Sequence, residues 1–307
     1  MKSAKLLLLA ALALRAETYY VNVAGLGGSP DYEKQFTGWA SELDRELRAN
    51  GPASHVITLT GTSATRSHIR EELSRLAGEV RADDAFALLL IGHGTFDGVD
   101  YKFNIPGPDI TASELASLLN RIPARRQLVV NMTSASGASL AALAKKDRIV
   151  ITATKSGNEK NATVFARYWV DALRDPAADT DKNGAVSALE AYRYAEQKTA
   201  AYFDTEKIIA TEHAMLSDDG SANGVRDPKS ERAQGLLAAA FPLIRPQADI
   251  AKSATPEKQK LLAKKEELEA RIDRLKYQKA ALAPDEYKQQ LTALLLELAR
   301  TQAEIDR

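Results

Sequence analysis

The sequence predicts an α/β fold: a mostly parallel sheet with helices on both faces, followed by a C-terminal helical hairpin. Three observations carry this. Strand-like and helix-like segments alternate from about residue 18 to 175, the pattern of a layered α/β domain. The run AFALLLIG is continuously apolar, as a central strand covered on both faces requires. Beyond residue 255 the chain changes to charged segments with leucines at seven-residue spacing.

The elements follow in order. TYYVNVAG is rich in β-formers and ends in glycine. DYEKQFTGWASELDRELRANG places Phe36, Trp39, Leu43 and Leu47 at helical period, with Asp31 as candidate cap and Gly51 beyond the end. HVITLTG reads as a second strand. TRSHIREELSRLAGEV gathers Ile69, Leu73 and Leu76 on one helical face. After the central strand, GTFDGVDYKFNI alternates and holds Asp97-Gly98, a hairpin signal. TASELASLLNRI opens with Thr111 and Glu114 at capping-box spacing. Then come the strand QLVVNM, a short alanine-rich helix, the strand RIVITAT and the helix ATVFARYWVDALR. A longer helix is expected from about Ser187 to Glu206. A Gly/Asp/Asn-rich loop follows at 217–228, and Pro228, Pro242 and Pro246 break the chain.

Residues 255–307 read as two helices separated near Ala283-Pro284. Leu261, Leu268, Leu275 and Leu282, with Ile272, form one seam. Tyr287, Leu291, Leu294, Leu298 and Ile305 form the other. Antiparallel pairing through a short turn is the economical arrangement. It is either an intramolecular hairpin or a seam for self-association or a partner. Lys265 and Lys279 at would-be core positions favour the hairpin.

Composition excludes several functions. The chain has 307 residues, is 45% hydrophobic and balances 41 basic against 41 acidic residues. This neutrality gives no reason to expect nucleic-acid binding or attraction to an anionic membrane. With no cysteine, disulfides, thiolate metal sites and a cysteine nucleophile are excluded. Lys2 and Lys5 precede a short apolar run, Leu6 to Leu14, with small residues near its end. This is the pattern of an export signal over residues 1–16, cleaved after Ala13 or Ala16. The run is far shorter than the ~20 residues a membrane span needs. A periplasmic or secreted location is expected.

Two constellations carry chemistry. His93 and Gly94 stand just past the central strand. The next core strand ends at VVNMTSASGASL, with Ser134, Ser136 and Gly137 beyond it. Carboxyl ends of neighbouring parallel strands are where open α/β sheets place their sites, so His93 and Ser134 are expected close together. The second is DTDKNGAVSALE, residues 179–190. It fits the calcium loop D-x-[DN]-x-[DN]-G-x5-E. Asp179, Asp181 and Asn183 supply the first, third and fifth ligands, Ala185 its carbonyl, Ser187 the ninth position and Glu190 the twelfth. Gly184 permits the turn and Val186 is the apolar anchor. The competing reading is an acidic turn that caps the helix at Ser187.

Three further stretches say less. Asp218, Asp219 and Asn223 fit no ion-site template and read as a polar surface loop. His213 beside Glu212 reads either as a functional residue or, as the plainer alternative, a helix-end histidine, and His55 and His68 as ordinary strand and helix residues. GLGGSP departs from the dinucleotide fingerprint, with Pro30 in the last glycine's place. Its glycines suit close backbone approach near His93.

The stretch from about residue 18 to 175 resembles the legumain peptidases, which have a caspase-like fold. The shared features are a central strand ending His-Gly (His93-Gly94), a hairpin, a helix, and a strand ending in a small-residue motif. Where the family carries Ala-Cys-Glu-Ser-Gly, this chain has Thr133-Ser134-Ala135-Ser136-Gly137. IVITATKSGNEKNATVFARYW resembles the family's next strand and loop. The resemblance implies a caspase-like domain over residues 17–250 and a cleft with His93 and Ser134 at catalytic positions and Gly94 beside them. Ser134 stands where the family's nucleophilic cysteine does. A thiol with a pKa near 8.5 is partly ionised at neutrality, whereas a serine needs a well-placed base, itself oriented by a third group. No carboxylate for that role is visible in the sequence.

Three readings follow. The first is a non-catalytic or weakly active homologue that binds a peptide or protein at the cleft. The second is a serine-dependent peptidase or amidase using Ser134 and His93. The third is an interaction protein acting through its C-terminal hairpin. Ser134 to Ser139 could also simply cap a helix.

Overall fold

The computed structural model describes residues 16–51, 53–229, 234–245, 255–279 and 282–306. Apart from Ala16, the expected export signal lies outside the described residues, as does Pro246. The strand β1 (Thr18–Ala24) leads to α1 (Pro30–Ala49), β2 (Ser54–Leu59), α2 (Arg66–Glu79) and β3 (Ala85–Gly92). A small sheet, β4 (Gly94–Phe96), β5 (Tyr101–Phe103) and β6 (Ile110–Thr111), precedes α3 (Ala112–Leu119) and β7 (Arg126–Thr133). Next are α4 (Leu140–Leu143), β8 (Arg148–Thr152), α5 (Phe165–Ala172), β9 (Val186–Ser187), α6 (Ala188–Glu206) and β10 (Met215–Ser217). The chain continues through α7 (Leu236–Ala239) and β11 (Pro242–Ile244) to α8 (Pro256–Tyr277) and α9 (Pro284–Ile305).

The main sheet has the order β10-β8-β7-β3-β1-β2. Its strands are parallel except β10, which runs antiparallel to β8. Strand alternation builds two cores. Tyr20, Ala24, Leu89 and Ile91 face α1, α5 and α6, where Phe36, Leu43, Leu47 and Trp169 fill the layer. Val21, Val23, Leu88 and Leu90 face α2 and α3, with Ile69, Leu73 and Leu115 opposite. β3 is buried along its whole length. The predicted fold class, a mostly parallel sheet covered on both faces, is the one observed.

Local chemistry differs from expectation at two helix starts. Ser29, not Asp31, caps α1: its side chain accepts from the Tyr32 N–H, and Pro30 occupies the first turn. That position suits proline, whose missing N–H has no intrahelical partner there. Thr111 caps α3 by accepting from the Glu114 N–H at 3.1 Å. The Glu114 carboxylate does not return to the cap; it meets Arg66 and Arg70 on α2. A charged partner across the helix interface wins over the local backbone bond.

β1 is flanked by β2 on one side and β3 on the other. The connections therefore leave it in opposite directions and open a crevice beyond the carboxyl ends of β1 and β3. The far end of the body is tied to β1. The Tyr20 hydroxyl donates to the Leu243 carbonyl at 2.9 Å. The Asn50 amide donates to the same carbonyl, and the Arg245 N–H donates to Asn50.

α8 and α9 form the antiparallel hairpin. Leu268, Ile272, Leu275 and Leu294 are buried between them, with Leu282, Tyr287, Leu291 and Leu298 packed alongside. The two lysines at seam positions are accommodated at the edges. Lys265 lies 3.8 Å from Glu269, and Lys279 stands over the Tyr287 ring. The hairpin meets the body through polar contacts: Arg245 with Glu269 and Asp273, and the Tyr277 hydroxyl with the Asp147 carbonyl. Among the described residues no helix is long and apolar enough to cross a membrane.

Candidate functional site

The sheet register makes the site. Gly92 pairs with Thr133 at the ends of β3 and β7, so the next residues, His93 and Ser134, emerge side by side. His93 Nδ1 is 3.4 Å from Ser134 Oγ. The Gly94 N–H points at the same oxygen from 3.5 Å. The other ring nitrogen, Nε2, lies 3.2 Å from the Gly27 carbonyl. A carbonyl can only accept, so Nε2 carries the hydrogen and Nδ1 is the acceptor facing the serine. Burial pulls the His93 pKa below its ordinary value, which favours the neutral ring. Tyr32 and Phe36 contact it edge-on at 5.0 Å each.

The third group behind His93 is thus a backbone carbonyl. It reaches the ring because the loop after β1 can come close. A Cβ on Gly27 would stand 2.2 Å from the Glu33 amide nitrogen. The expectation for the GLGGSP glycines is met here.

Ser134 is only 2% exposed. Behind it lies a closed polar network. The Tyr101 hydroxyl meets Thr133 and Asn131, and the Asn131 amide donates to Ser139. Ser139 donates to the Ser136 carbonyl, and Ser136 accepts from the Thr154 N–H. Residues 136–139 form a 3-10 turn that leads into α4 with Ser139 at its N-cap position, but no serine side chain there makes a cap hydrogen bond. Ala135 adopts φ 55, the left-handed region, which costs a non-glycine residue roughly 1–2 kcal/mol. Its N–H donates to the Glu159 carbonyl at 2.7 Å.

The sequence marks Glu159 only as part of a loop of the resembling stretch and Glu212 only as the neighbour of His213. The Glu159 carboxylate accepts from His213 Nδ1 at 2.5 Å and from the Lys155 N–H at 2.8 Å. His213 is therefore a loop residue paired with an acid, not a helix-end histidine. Glu212, 4% exposed, accepts from the Val164 N–H before α5. Burial pushes its pKa from 4.5 to about 8, against the lowering effect of those N–H bonds. A raised carboxyl pKa stabilises the fold fully below the unfolded value near 4.5 and loses that contribution as pH rises toward 8. A Glu212→Gln variant should therefore lose part of the fall in melting temperature between pH 5 and 8.5. An unchanged slope would show that Glu212 ionises normally.

The second constellation assembles as well. Asp179, Asp181 and Glu190 bring carboxylate oxygens within 4.8 Å of one another and could hold a metal ion. The Asp179 carboxylate accepts from the Asn183 and Gly184 N–H groups. The Ala185 N–H donates to the Asn183 side chain. Gly184 has φ 81, and Val186 is buried. The helix cap weighed as the alternative is also present. Ser187 accepts from the Glu190 N–H, and Glu190 accepts from Ser187. One carboxylate serves both, because its two oxygens offer about four acceptor sites. Burial, then Glu190 and Asp179 nearby, raise the Asp181 pKa.

Asp218 corrects the surface-loop expectation. It is buried, and its carboxylate accepts from the Gly235 and Ala238 N–H groups at the start of α7.

No family model matches the chain, and no curated protein matches it. Among solved structures, the protein GSU0716 from Geobacter sulfurreducens is similar at 11% identity, covering 72% of this chain and 97% of its own, with a TM-score of 0.44.

Proposed function

We propose that the chain is an exported, caspase-like homologue of the legumain peptidases that binds a peptide at its strand-end cleft without turning it over. The observation that carries this is the state of the His93–Ser134 pair. The two side chains stand at the carboxyl ends of adjacent strands, yet Oγ and Nδ1 are 3.4 Å apart. The ring's second nitrogen rests on a backbone carbonyl, and the serine is almost closed off from solvent. An activated serine needs a base within roughly 2.6–3.2 Å and a group that stabilises the charged imidazole. Tyr32, whose ring meets His93, and Leu26, next in sequence to the Gly27 that holds the His93 ring, expose apolar surface, which suits an apolar side chain of a bound peptide.

The serine-hydrolase reading is favoured by one observation: the neutral His93 offers its Nδ1 lone pair to a hydroxyl that also faces the Gly94 N–H. Labelling with a fluorophosphonate separates the two. The wild-type protein should label no more than Ser134→Ala, and a peptide selected from a library should bind both equally. Labelling that requires both Ser134 and His93 would make the protein a serine enzyme.

We further propose that the ion of the 179–190 loop is calcium. All candidate donors are oxygens, as a hard cation prefers. The loop holds three acids and three neutral oxygen donors, Asn183, the Ala185 carbonyl and Ser187, and its turn is set by Gly184. Calcium bound there would neutralise the crowding of Asp179, Asp181 and Glu190.

A further inference from the structure

A cavity of about 430 Å³ lies between the helical hairpin and the body and shares no residue with the His93–Ser134 pair. It is bounded by β11, by the outer turn of the 179–190 loop, and by α8 and α9. Its volume falls in the range of small-molecule sites, roughly 300–1,000 Å³. Ile272, Leu295 and Leu298 give it an apolar wall. Leu295 is 48% exposed, whereas Leu268, Leu275 and Leu294 of the same hairpin are buried.

The charges on the lining do not cancel. Arg245, Lys265 and Lys276 stand against Glu269 and Asp273, so one cation is in excess. Arg245 engages both acids, and Lys265 adjoins Glu269. Lys276 is partly buried and makes no salt bridge among the described residues; its charge favours the ionised Asp273, an acid that Arg245 already engages. A partly desolvated ammonium beside an apolar wall is matched by a ligand with one negative charge and an aliphatic body.

We propose that this cavity binds an amphipathic organic anion, its carboxylate against Lys276 and its aliphatic chain along Ile272, Leu295 and Leu298. The inference is independent of how the His93–Ser134 cleft is read. It orders three probes of equal length. Decanoate gains both the apolar burial and the ion pair. Decanol gains only the burial. Decylamine gains the burial and meets Lys276 as a like charge.

The test is titration calorimetry on the full chain with the three probes below their micelle concentrations. Decanoate should bind about tenfold tighter than decanol, and decanol tighter than decylamine. Lys276→Met, a change at a partly exposed helix position, should melt near the wild-type temperature and bind decanoate no better than decanol. Ala299→Trp, which fills the cavity from α9, should weaken all three probes. The proposal is overturned if wild-type protein does not bind decanoate, or binds it no better than decanol. It is equally overturned if Lys276→Met keeps the full preference for the anion.

Discussion

A Gly137→Ala variant is expected to lose about 3 kcal/mol or more of folding stability, or to fail to accumulate as folded protein. The reason is space rather than backbone angle. A Cβ at this position would stand 2.2 Å from the Ser156 nitrogen, 2.3 Å from the Lys155 carbonyl carbon and 2.6 Å from its oxygen. All three are backbone atoms, so no side-chain rotation relieves the contact. The 154–159 loop would have to retreat, and it carries the Glu159 carbonyl that holds the Ala135 N–H. It also carries Thr154, which accepts from the Gly137 N–H at 2.9 Å. Gly28→Ala is the matched control. Gly28 has φ 71 with nothing near its missing Cβ, so only the left-handed backbone penalty applies, about 1–2 kcal/mol. Urea unfolding of both variants checks the contrast. A Gly137→Ala midpoint at or above that of Gly28→Ala would show that the loop gives way cheaply.

Calcium should produce the second large effect. Millimolar calcium at about a hundredfold excess over its dissociation constant stabilises the folded state by about 2.7 kcal/mol. In a domain of this size that raises the melting temperature by roughly 5–10 °C, and a chelator should reverse it. Glu190→Gln should abolish the response. In chelator the variant should melt below wild type, because both Glu190 oxygens accept N–H bonds, one from Thr180 and Asp181 and the other from Ser187, and the amide's NH2 would face donors on one side. The calcium response, not the baseline, is the readout. Equal melting of the wild-type protein in calcium, magnesium and chelator would sink the ion-binding reading and leave Glu190 as a helix cap.

What was legible in the sequence depended on how far apart the deciding residues lie. The central strand announced itself because AFALLLIG is apolar without interruption. α1 did so because Phe36, Leu43 and Leu47 repeat at helical period. The gathering of Asp179, Asp181 and Glu190 was legible because the three acids fall within twelve residues and the turn between them needs one glycine. Single side chains with two possible partners were not. Glu114 has the spacing of a capping box but goes to Arg66 and Arg70, which only the packing of α2 on α3 brings near. Asp218 sits in a polar stretch that reads as surface, yet the start of α7 covers it. The group behind His93 was invisible in principle, since a backbone carbonyl leaves no mark on residue identity. His93 and Ser134 themselves were found because a parallel register turns two strand ends into neighbours.

The tie between Tyr20 and Leu243 has a consequence for the order in which the body can be completed. The contact joins residues 223 positions apart, and β1 is the strand on which both β2 and β3 pair. A ribosome-bound chain lacking β11 leaves the buried Tyr20 hydroxyl without its acceptor and Asn50 without both of its contacts to the 243–245 segment. Such non-local pairings must close a long loop before they contribute, which slows folding and prolongs partly open states. The α/β body should therefore seal only after synthesis has passed residue 245, and fragments ending earlier should remain sensitive to protease even where β1, β2 and β3 have paired.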